Sequence, residues 1–391
     1  MLNFTFYNPT RIIFGKGTID QVGSQCKRFS TRVLLHYGGG SIKKNGVYDE
    51  VVSSLNKEGI EFVELSGVVP NPRLSKVLEG IEIVRRENIS FILAVGGGSV
   101  IDSAKAIAFG SLADGEHLWE DYFMNPENSI KKALPVGVVL TIPASGSESS
   151  TSLVITDERS NLKRAIKSEQ VIPQFAIMDP ETNYSLPDYQ TACGAADILA
   201  HLMERYFTNE LHNDLSDELL EGAMRNVLAH APLALKHPAD YKYRSELMWT
   251  GTLAHNDLFD RGRVADWASH AIEHELSGAY DIAHGAGLSI IFPAWMRYVY
   301  KRNIDRFVQF AIRVCSVNLS LDDKDAVVES AIDRLELFYR SLGLPVRLTD
   351  AGIGTEKIDL MSKNAMINKE TIGNFVKLTE DDVRKILRLA L

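Results

Sequence analysis

Short apolar runs and amphipathic stretches alternate along the first half of the chain. The apolar runs have the length and composition of buried strands. They predict strands at residues 32–36, 60–65, 91–95, 136–140, 152–156 and 175–178. Stretches with helical periodicity predict helices between them, at residues 47–57, 75–86 and 100–109. This alternation is typical of a largely parallel sheet with helices on both faces.

Two further apolar segments lie at the start of the chain, ahead of this pattern. Residues 4–7 and 11–14 flank Asn8-Pro9-Thr10, and this combination predicts a β-hairpin. A short hairpin is marginally stable alone and leaves an exposed edge. We therefore expect it to pair with its copy across a two-fold axis, which predicts a homodimer. The alternative is a monomer whose hairpin packs on its own domain.

From about residue 188 the pattern changes to long amphipathic stretches, and no convincing strand remains. These stretches predict helices at residues 189–208, 215–231, 243–254, 265–276, 286–300, 304–314, 326–341 and 380–391. The change predicts two domains. An α/β domain over residues 1–186 starts with the hairpin, and an all-helical domain covers residues 187–391.

Composition narrows the class of protein. The 391 residues are 45% hydrophobic and 24% charged, which is ordinary for a globular protein. A net charge of −9 without a basic stripe argues against binding of nucleic acid or of anionic membranes. No signal-peptide pattern and no bilayer-length apolar run is visible. Cys26, Cys193 and Cys315 lie far apart and indicate reduced thiols in a cytoplasmic protein.

A glycine run joins the predicted strand at 91–95 to the next helix. It reads Gly96-Gly97-Gly98-Ser99, and Asp102 follows one turn later. Glycines let backbone N–H groups approach an anion, and a helix N-terminus adds positive dipole. The run therefore predicts a pyrophosphate site, although a tight turn without a ligand is the alternative. The common G-x-G-x-x-G dinucleotide pattern is absent, because Ile101 occupies its last position.

A second glycine run, Gly38-Gly39-Gly40-Ser41, ends an earlier predicted strand. The run contains no acidic residue to bind a free ribose 2′-hydroxyl, while Ser41 can donate a hydrogen bond and Lys43 and Lys44 follow. This arrangement favours a 2′-phosphate and hence NADP(H) over NAD(H). A flexible surface turn with solvated lysines is the alternative.

Histidines and an aspartate in the helical half have the spacing of metal ligands. Asp197 and His201 lie four residues apart on one predicted helix, as do His270 and His274, and His284 follows. Fe²⁺ and Zn²⁺ both favour imidazole with carboxylate. One such pair alone is more often a helix surface pair, but two pairs with a further histidine favour a metal site.

The segment His270-x-x-Glu273-His274 also fits a different class of enzyme. It matches the H-x-x-E-H pattern of zinc peptidases, in which both histidines bind zinc and the glutamate activates water. A cytoplasmic setting and a phosphate-binding half argue against that class. The metallopeptidase remains an alternative from another reaction class.

Several of these segments, taken together, resemble the iron-dependent alcohol dehydrogenase family. The resemblance covers almost the whole chain and is strongest in the branch of NADP(H)-dependent butanol dehydrogenases and aldehyde reductases. It is carried by Asn8 to Gly15, Gly96-Gly97-Gly98-Ser99-x-x-Asp102, Thr141 to Glu148, Asp179-Pro180, Gly194-x-x-Asp197-x-x-x-His201, and His270-x-x-x-His274 through His284-Gly285.

The resemblance implies a dehydroquinate-synthase-like fold, with an α/β N-terminal nucleotide-binding domain and an all-helical C-terminal metal-binding domain. It implies one divalent metal, Fe²⁺ or Zn²⁺, held by Asp197, His201, His270 and His284. With the glycine runs above, it implies a coenzyme site that comprises Gly38, Gly39, Gly40, Ser41, Asn71, Gly97, Gly98, Ser99, Asp102, Thr141, Ser145, Ser150 and Lys163.

The implied reaction interconverts small primary alcohols and aldehydes, such as butanol and butanal, with hydride transfer to or from NADP(H). His274 is the candidate catalytic residue, either as a proton relay or as a group that only orients its neighbours. Other readings remain: an NAD-linked polyol dehydrogenase of the same fold, a carbocycle-forming enzyme and a non-catalytic nucleotide-binding protein. His36, His117, His212, His230, His237 and His255 have no partner pattern and are expected at the surface or in helix packing.

Overall fold

The computed structural model describes residues 1–113, 117–125, 127–318 and 323–391. These residues form two compact units. The α/β unit comprises Tyr7–Leu186 and Pro238–Asp257, and the helical unit comprises Met1–Phe6, Pro187–His237 and Leu258–Leu391. The units differ from the predicted domains in two places, because residues 1–6 pack with the helical unit and residues 238–257 with the α/β unit.

The α/β unit is built on a parallel sheet. The described part of the unit contains eight strands: β1 (Arg11–Phe14), β2 (Arg32–Gly38), β3 (Glu61–Val68), β4 (Ile92–Gly96), β5 (Val136–Leu140), β6 (Ser152–Asp157), β7 (Leu162–Lys167) and β8 (Phe175–Met178). Among the described residues, six of them form one sheet in the order β1-β8-β5-β4-β2-β3, with every neighbouring pair parallel. The predicted parallel sheet is confirmed.

The helices of the α/β unit are α1 (Val22–Cys26), α2 (Ser41–Lys44), α3 (Val47–Lys57), α4 (Leu74–Arg86), α5 (Gly98–Gly110) and α8 (Tyr241–His255). Those of the helical unit are α6 (Asp188–Tyr206), α7 (Asp214–Lys236), α9 (Ala268–Tyr280), α10 (His284–Val299), α11 (Ile304–Arg313), α12 (Lys324–Ser341), α13 (Ile358–Asn364) and α14 (Glu380–Leu389). The predicted combination of an α/β part and a helical part is confirmed. No helix of the described residues is long and apolar enough to cross a membrane.

The predicted N-terminal hairpin is wrong. Residues 4–7 form no strand, and β1 pairs instead in parallel with β8, with Arg11 opposite Phe175. The side chain of Asn8 occupies the expected turn: its Oδ1 accepts from the backbone N–H of Thr10, and its Nδ2 donates to the carbonyl of Ser149. A long-range partner for β1 thus replaces the local one that the sequence pattern suggested.

A small antiparallel pair, β6 with β7, contributes a strand that the sequence analysis missed. Strand β7 alternates buried and exposed side chains only weakly and carries Lys163, Arg164 and Lys167. Charged residues depress the apolar signal of a strand with a solvent-facing side. The pairing matters for the site because it positions Lys163, opposite Thr156.

His36 lies in the core of the α/β unit, not at the surface. It is fully buried on β2, where Nδ1 donates to the carbonyl of Leu65 (3.0 Å) and Nε2 accepts from the hydroxyl of Ser103 (2.9 Å). These bonds connect β2 with β3 and with α5. Burial lowers the pKa of His36 to about 4, because a charged imidazole would lose its hydration there.

We expect the neutrality of His36 to make the stability of the fold depend on pH. The unfolded chain binds the proton more readily, so this stability is complete above about pH 6.5 and is lost as the pH falls towards 4. As the pH falls from about 7 to about 5, protonation linked to His36 should lower the free energy of unfolding by about 2 kcal/mol. Urea unfolding at both pH values measures this difference in the free energy of unfolding, which should be smaller in His36→Asn than in the wild type. It should persist in His117→Asn, which removes an exposed histidine; an equal difference in all three proteins would contradict the assignment.

Candidate metal and coenzyme sites

Four candidate metal ligands converge inside the helical unit. Helix α6 carries Asp197 and His201 one turn apart, α9 carries His270, and His284 is the first residue of α10. Oδ1 of Asp197 lies 3.4 Å from Nδ1 of His201, 4.0 Å from Nε2 of His270 and 3.7 Å from Nε2 of His284. One carboxylate oxygen thus faces a nitrogen of each imidazole, in an environment where three of the four residues are buried.

Two further carboxylates fix the orientation of the imidazoles. Nδ1 of His270 donates to Oε1 of Glu204 (2.8 Å), and Nδ1 of His284 donates to the carboxylate of Glu273. Each ring therefore presents the lone pair of Nε2 towards Asp197. Nε2 of His270 is buried and has no hydrogen-bond partner among the described residues.

The carboxylate and the three imidazoles are suitable ligands for a divalent metal. An imidazole lone pair and a carboxylate oxygen repel each other when they face each other with no proton between them. A cation placed between the two groups removes this repulsion. Imidazole and carboxylate are the ligand types that Fe²⁺ and Zn²⁺ accept. Asp197, His201, His270 and His284 would hold such an ion.

Two glycines allow α10 to approach its neighbours this closely. A Cβ on Gly285 would lie 2.0 Å from the carbonyl oxygen of Cys193 on α6, and a Cβ on Gly287 would lie 2.5 Å from Oε1 of Glu273 on α9. Any side chain at either position would push α10 away. The glycines after His284 are therefore explained by helix packing.

Glu204 is a contributor to the site that the sequence analysis missed. Its carboxylate also accepts from the backbone N–H of Trp267 (2.6 Å) and of His270 (3.0 Å), so it holds the first turn of α9. Trp267 has a left-handed backbone conformation (φ 68°), which starts α9 at Ala268, three residues later than predicted. The available signal was spacing, since Glu204 lies one helical turn after His201.

His274 lies beside the metal-ligand candidates. Its ring centroid is 5.6 Å from that of His284, and its ligand atom groups with those of Glu273 and His284, within 4.8 Å. His274 thus lies next to the four converging side chains without being one of them. Whether it relays a proton or only orients neighbours stays a prediction.

The geometry argues against the metallopeptidase alternative. Glu273 is fully buried, where it accepts from the hydroxyl of Ser277 and from Nδ1 of His284. A peptidase glutamate must instead be available to a water molecule beside the metal. The carboxylate of Glu273 supports a histidine.

In the α/β unit, the glycines at residues 96–98 are required by close packing. Strand β4 ends at Gly96 and α5 begins at Gly98. A Cβ on Gly97 would lie 2.9 Å from Cβ of Ile142, and one on Gly98 would lie 2.3 Å from the hydroxyl oxygen of Ser145. The segment after β5 therefore packs on the N-terminus of α5. Backbone N–H groups and helix dipole remain there, so the pyrophosphate site stays a prediction.

Three polar candidates of the coenzyme site have protein partners. Nζ of Lys163 donates to Oδ1 of Asn71 (3.0 Å), so the structure brings together two buried residues 92 positions apart. The carboxylate of Asp102 accepts from the hydroxyl of Ser147 (2.6 Å) and from the backbone N–H of Val154 (3.1 Å). Burial raises the pKa of Asp102 to about 6. Asp102 thus holds the chain after β5 in place through Ser147 and Val154. Its contact with a coenzyme stays a prediction.

The second glycine run, Gly38 to Ser41, joins β2 to α2, and the space around Gly39 and Gly40 is open. No atom would lie within 4 Å of a Cβ on Gly39, and Lys44 is exposed. Lys43 is exposed as well, and it has partners in the protein. Its Nζ pairs with the carboxylate of Glu64 (3.3 Å) and lies 4.4 Å from the ring centroid of Tyr48. Only part of the predicted positive charge is therefore available to a ligand.

Comparison with known proteins identifies similar sequences over nearly the whole chain. Residues 9–180 match the family described as "Iron-containing alcohol dehydrogenase", and residues 191–391 match "Fe-containing alcohol dehydrogenase family, C-terminal". The Probable NADH-dependent butanol dehydrogenase 2 of Bacillus subtilis (strain 168) is 43% identical, with 100% of each chain covered. The NADPH-dependent aldehyde reductase YqhD of Escherichia coli (strain K12) is 35% identical, also with 100% of each covered.

A solved structure supports the same relationship. The crystal structure of NADH-dependent butanol dehydrogenase A from Thermotoga maritima superposes with a TM-score of 0.94 at 43% sequence identity. The match covers 99% of this chain and 98% of that one. Sequence and fold therefore agree over both units.

Proposed function

Because the chain belongs to the iron-containing alcohol dehydrogenase family, we propose that it interconverts small primary alcohols and aldehydes. Butanol and butanal are the representative substrates, and the coenzyme is NADP(H). The observation that carries the proposal is the convergence of Asp197, His201, His270 and His284 around one point of the helical unit. Retention of all four argues against a non-catalytic nucleotide-binding protein.

A divalent metal bound by these four residues supplies Lewis-acid polarisation of a carbonyl oxygen and acidifies a bound alcohol. The chain's own residues prepare the site for it. Glu204 and Glu273 keep the Nδ1 atoms of His270 and His284 protonated, which leaves Nε2 of each ring as the ligand atom. The same two carboxylates also hold the rings of His270 and His284 in this orientation before a metal binds.

His274 is the proposed proton-handling or orienting residue. It lies one helical turn after His270 on α9, half-buried, with its ring close to that of His284. An imidazole can accept or donate a proton near neutral pH. This position supports a role in which His274 contacts the oxygen atom of the substrate and does not bind the metal.

The glycine run at Gly38 to Ser41 supports NADP(H) as the coenzyme. The space around Gly39 can accept a 2′-phosphate, Ser41 can donate a hydrogen bond to it, and Lys44 adds charge. NADH is the second candidate, because the Glu64 carboxylate lies next to Lys43 and neutralises it. The relatives include enzymes named for either coenzyme.

The active assembly that we propose is a homodimer, formed through a different surface from the one first expected. Residues 1–6 pack with the helical unit. The terminal amine of Met1 donates to the carbonyl of Leu211, and the backbone N–H of Leu2 donates to the carbonyl of Gly262. We define the N-terminal patch as the exposed apolar side chains of residues 1–6, of Leu211, which Met1 contacts, and of the first turns of α7 that follow it: Met1, Leu2, Phe4, Phe6, Leu211, Leu215 and Leu219. A second copy of the chain would cover this patch.

The metal assignment predicts joint loss of metal and activity. His284→Ala removes one of four ligands, so we expect metal content and butanal reduction to fall together, by at least about tenfold. Elemental analysis of the wild type identifies iron or zinc, and NADPH oxidation with and without a chelator measures the activity. Full activity of His284→Ala in chelator-treated buffer would contradict the assignment.

The coenzyme assignment predicts that a carboxylate at position 39 changes the preference. In Gly39→Asp the new charge should repel a 2′-phosphate and accept hydrogen bonds from ribose hydroxyls. The ratio of kcat/KM for NADPH to that for NADH should fall by about tenfold or more. Asn56→Asp, on an exposed position of α3, is the control for added charge. An unchanged ratio in Gly39→Asp means that this run does not contact the ribose.

The dimer proposal predicts dissociation when charge is placed in the N-terminal patch. Leu215 is 71% exposed on α7, so Leu215→Glu should leave the fold intact while its charge disfavours burial against a second copy. Light scattering should show dimers for the wild type and monomers for the variant. Leu337→Glu, at a position 65% exposed on α12, is the matched control and should remain dimeric. A monomeric wild type would refute the proposal.

A further inference from the structure

Helix α8 belongs to the helical half of the sequence but packs on the α/β unit, against the serine loop, which we define as residues 145–151. Its last turn reaches that loop with two side chains. Oγ1 of Thr252 donates to Oε1 of Glu148 (2.6 Å), and Nδ1 of His255 donates to the carbonyl of Ser145 (2.9 Å). His255 therefore has a specific partner that its sequence surroundings did not indicate.

The opposite side of the serine loop is held by α5. Lys105 is fully buried, and its Nζ donates to the carbonyls of Ser150 and Ser152, both at 2.9 Å. Burial lowers the pKa of Lys105 to about 8, and the nearby carboxylates of Asp102 and Glu148 act in the opposite direction. A buried ammonium needs these oxygens, so the loop cannot leave α5 without exposing or orphaning it.

Backbone packing leaves little room for the serine loop to move away from α8. Gly146 has a left-handed conformation (φ 64°), and a Cβ there would lie 2.6 Å from Cβ of His255 and 2.9 Å from the carbonyl oxygen of Gly251. On the other side, the hydroxyl of Ser145 lies against Gly98 at the N-terminus of α5. The position of α8 thus sets where Ser145 meets the predicted pyrophosphate site.

We propose that α8 is a coenzyme-positioning element, in which Thr252 and His255 hold the serine loop against α5 in the conformation that binds the coenzyme. The inference rests on the proposed function only in taking the loop as part of the coenzyme site. Thr252 and His255 are positioning residues, because they act through Glu148 and Ser145. Glu148 is fully buried, so loss of the Thr252 hydroxyl removes a donor that water cannot easily replace.

The test compares Thr252→Val, which keeps the shape but lacks the hydroxyl, with Thr252→Ser, which keeps the hydroxyl. We expect Thr252→Val to raise the Kd of NADPH by about tenfold, measured by NADPH fluorescence. Amide hydrogen exchange of residues 141–151 should become faster in the coenzyme-free variant. Thr252→Ser should restore both quantities to within about twofold, and metal content should not change in either variant.

Ser245→Ala is the control on the same helix, because that exposed hydroxyl donates to the carbonyl of Lys242. If Thr252→Val is unfolded by circular dichroism, His255→Phe supplies the same comparison through the bond to Ser145. Wild-type affinity and exchange in Thr252→Val would overturn the inference. A wild type that binds neither NADPH nor NADH would refute the proposed function instead, while hydrogen exchange would still report whether α8 holds the loop.

Discussion

The buried carboxylate of Asp197 is the group on which the arrangement of the helical unit depends. Three imidazole nitrogens face its Oδ1 within 4.0 Å, and they come from α6, α9 and α10. A buried charge is tolerated only where other groups compensate it. A cation held by Asp197 and the three imidazoles would supply this compensation, and the packing of the three helices brings these ligands together. Gly285 and Gly287 remove the side chains that would hold α10 away, and Glu204 and Glu273 keep the imidazoles turned inward.

The α/β unit obeys the same constraint with different groups. Lys105, Asp102 and Glu148 are buried beneath or within the serine loop, and each has hydrogen-bond partners there. Glycines again permit the close approach, at Gly98 on α5 and at Gly146 in the loop. A loop held in this way is ordered before any ligand binds, so less conformational entropy is lost on binding.

The turn for which we propose a role in coenzyme choice is more exposed and less constrained than the serine loop. The turn is open at Gly39 and Gly40, and the positive charge of Lys43 is paired with Glu64 on β3. Exposed pairs of this kind contribute little to stability but alter the local potential that a phosphate meets. Relatives named for NADH and for NADPH match the sequence of this chain over its full length. On the proposed assignment, coenzyme preference would change through a few surface residues while the core stays the same.

The sequence by itself determined the local elements and the pairs that lie one helical turn apart. Apolar runs identified the strands β4, β5 and β8, and the spacing of Asp197 with His201 placed both on one face of α6. Tertiary structure decided everything that depends on partners distant in the chain. Strand β1 pairs with β8 about 160 residues away instead of folding back as a hairpin, α8 packs on the α/β unit, and His36 becomes a buried neutral link. The physical reason is that periodicity reports which face of an element is buried, whereas the identity of the partner follows from satisfying buried polar groups across the whole fold.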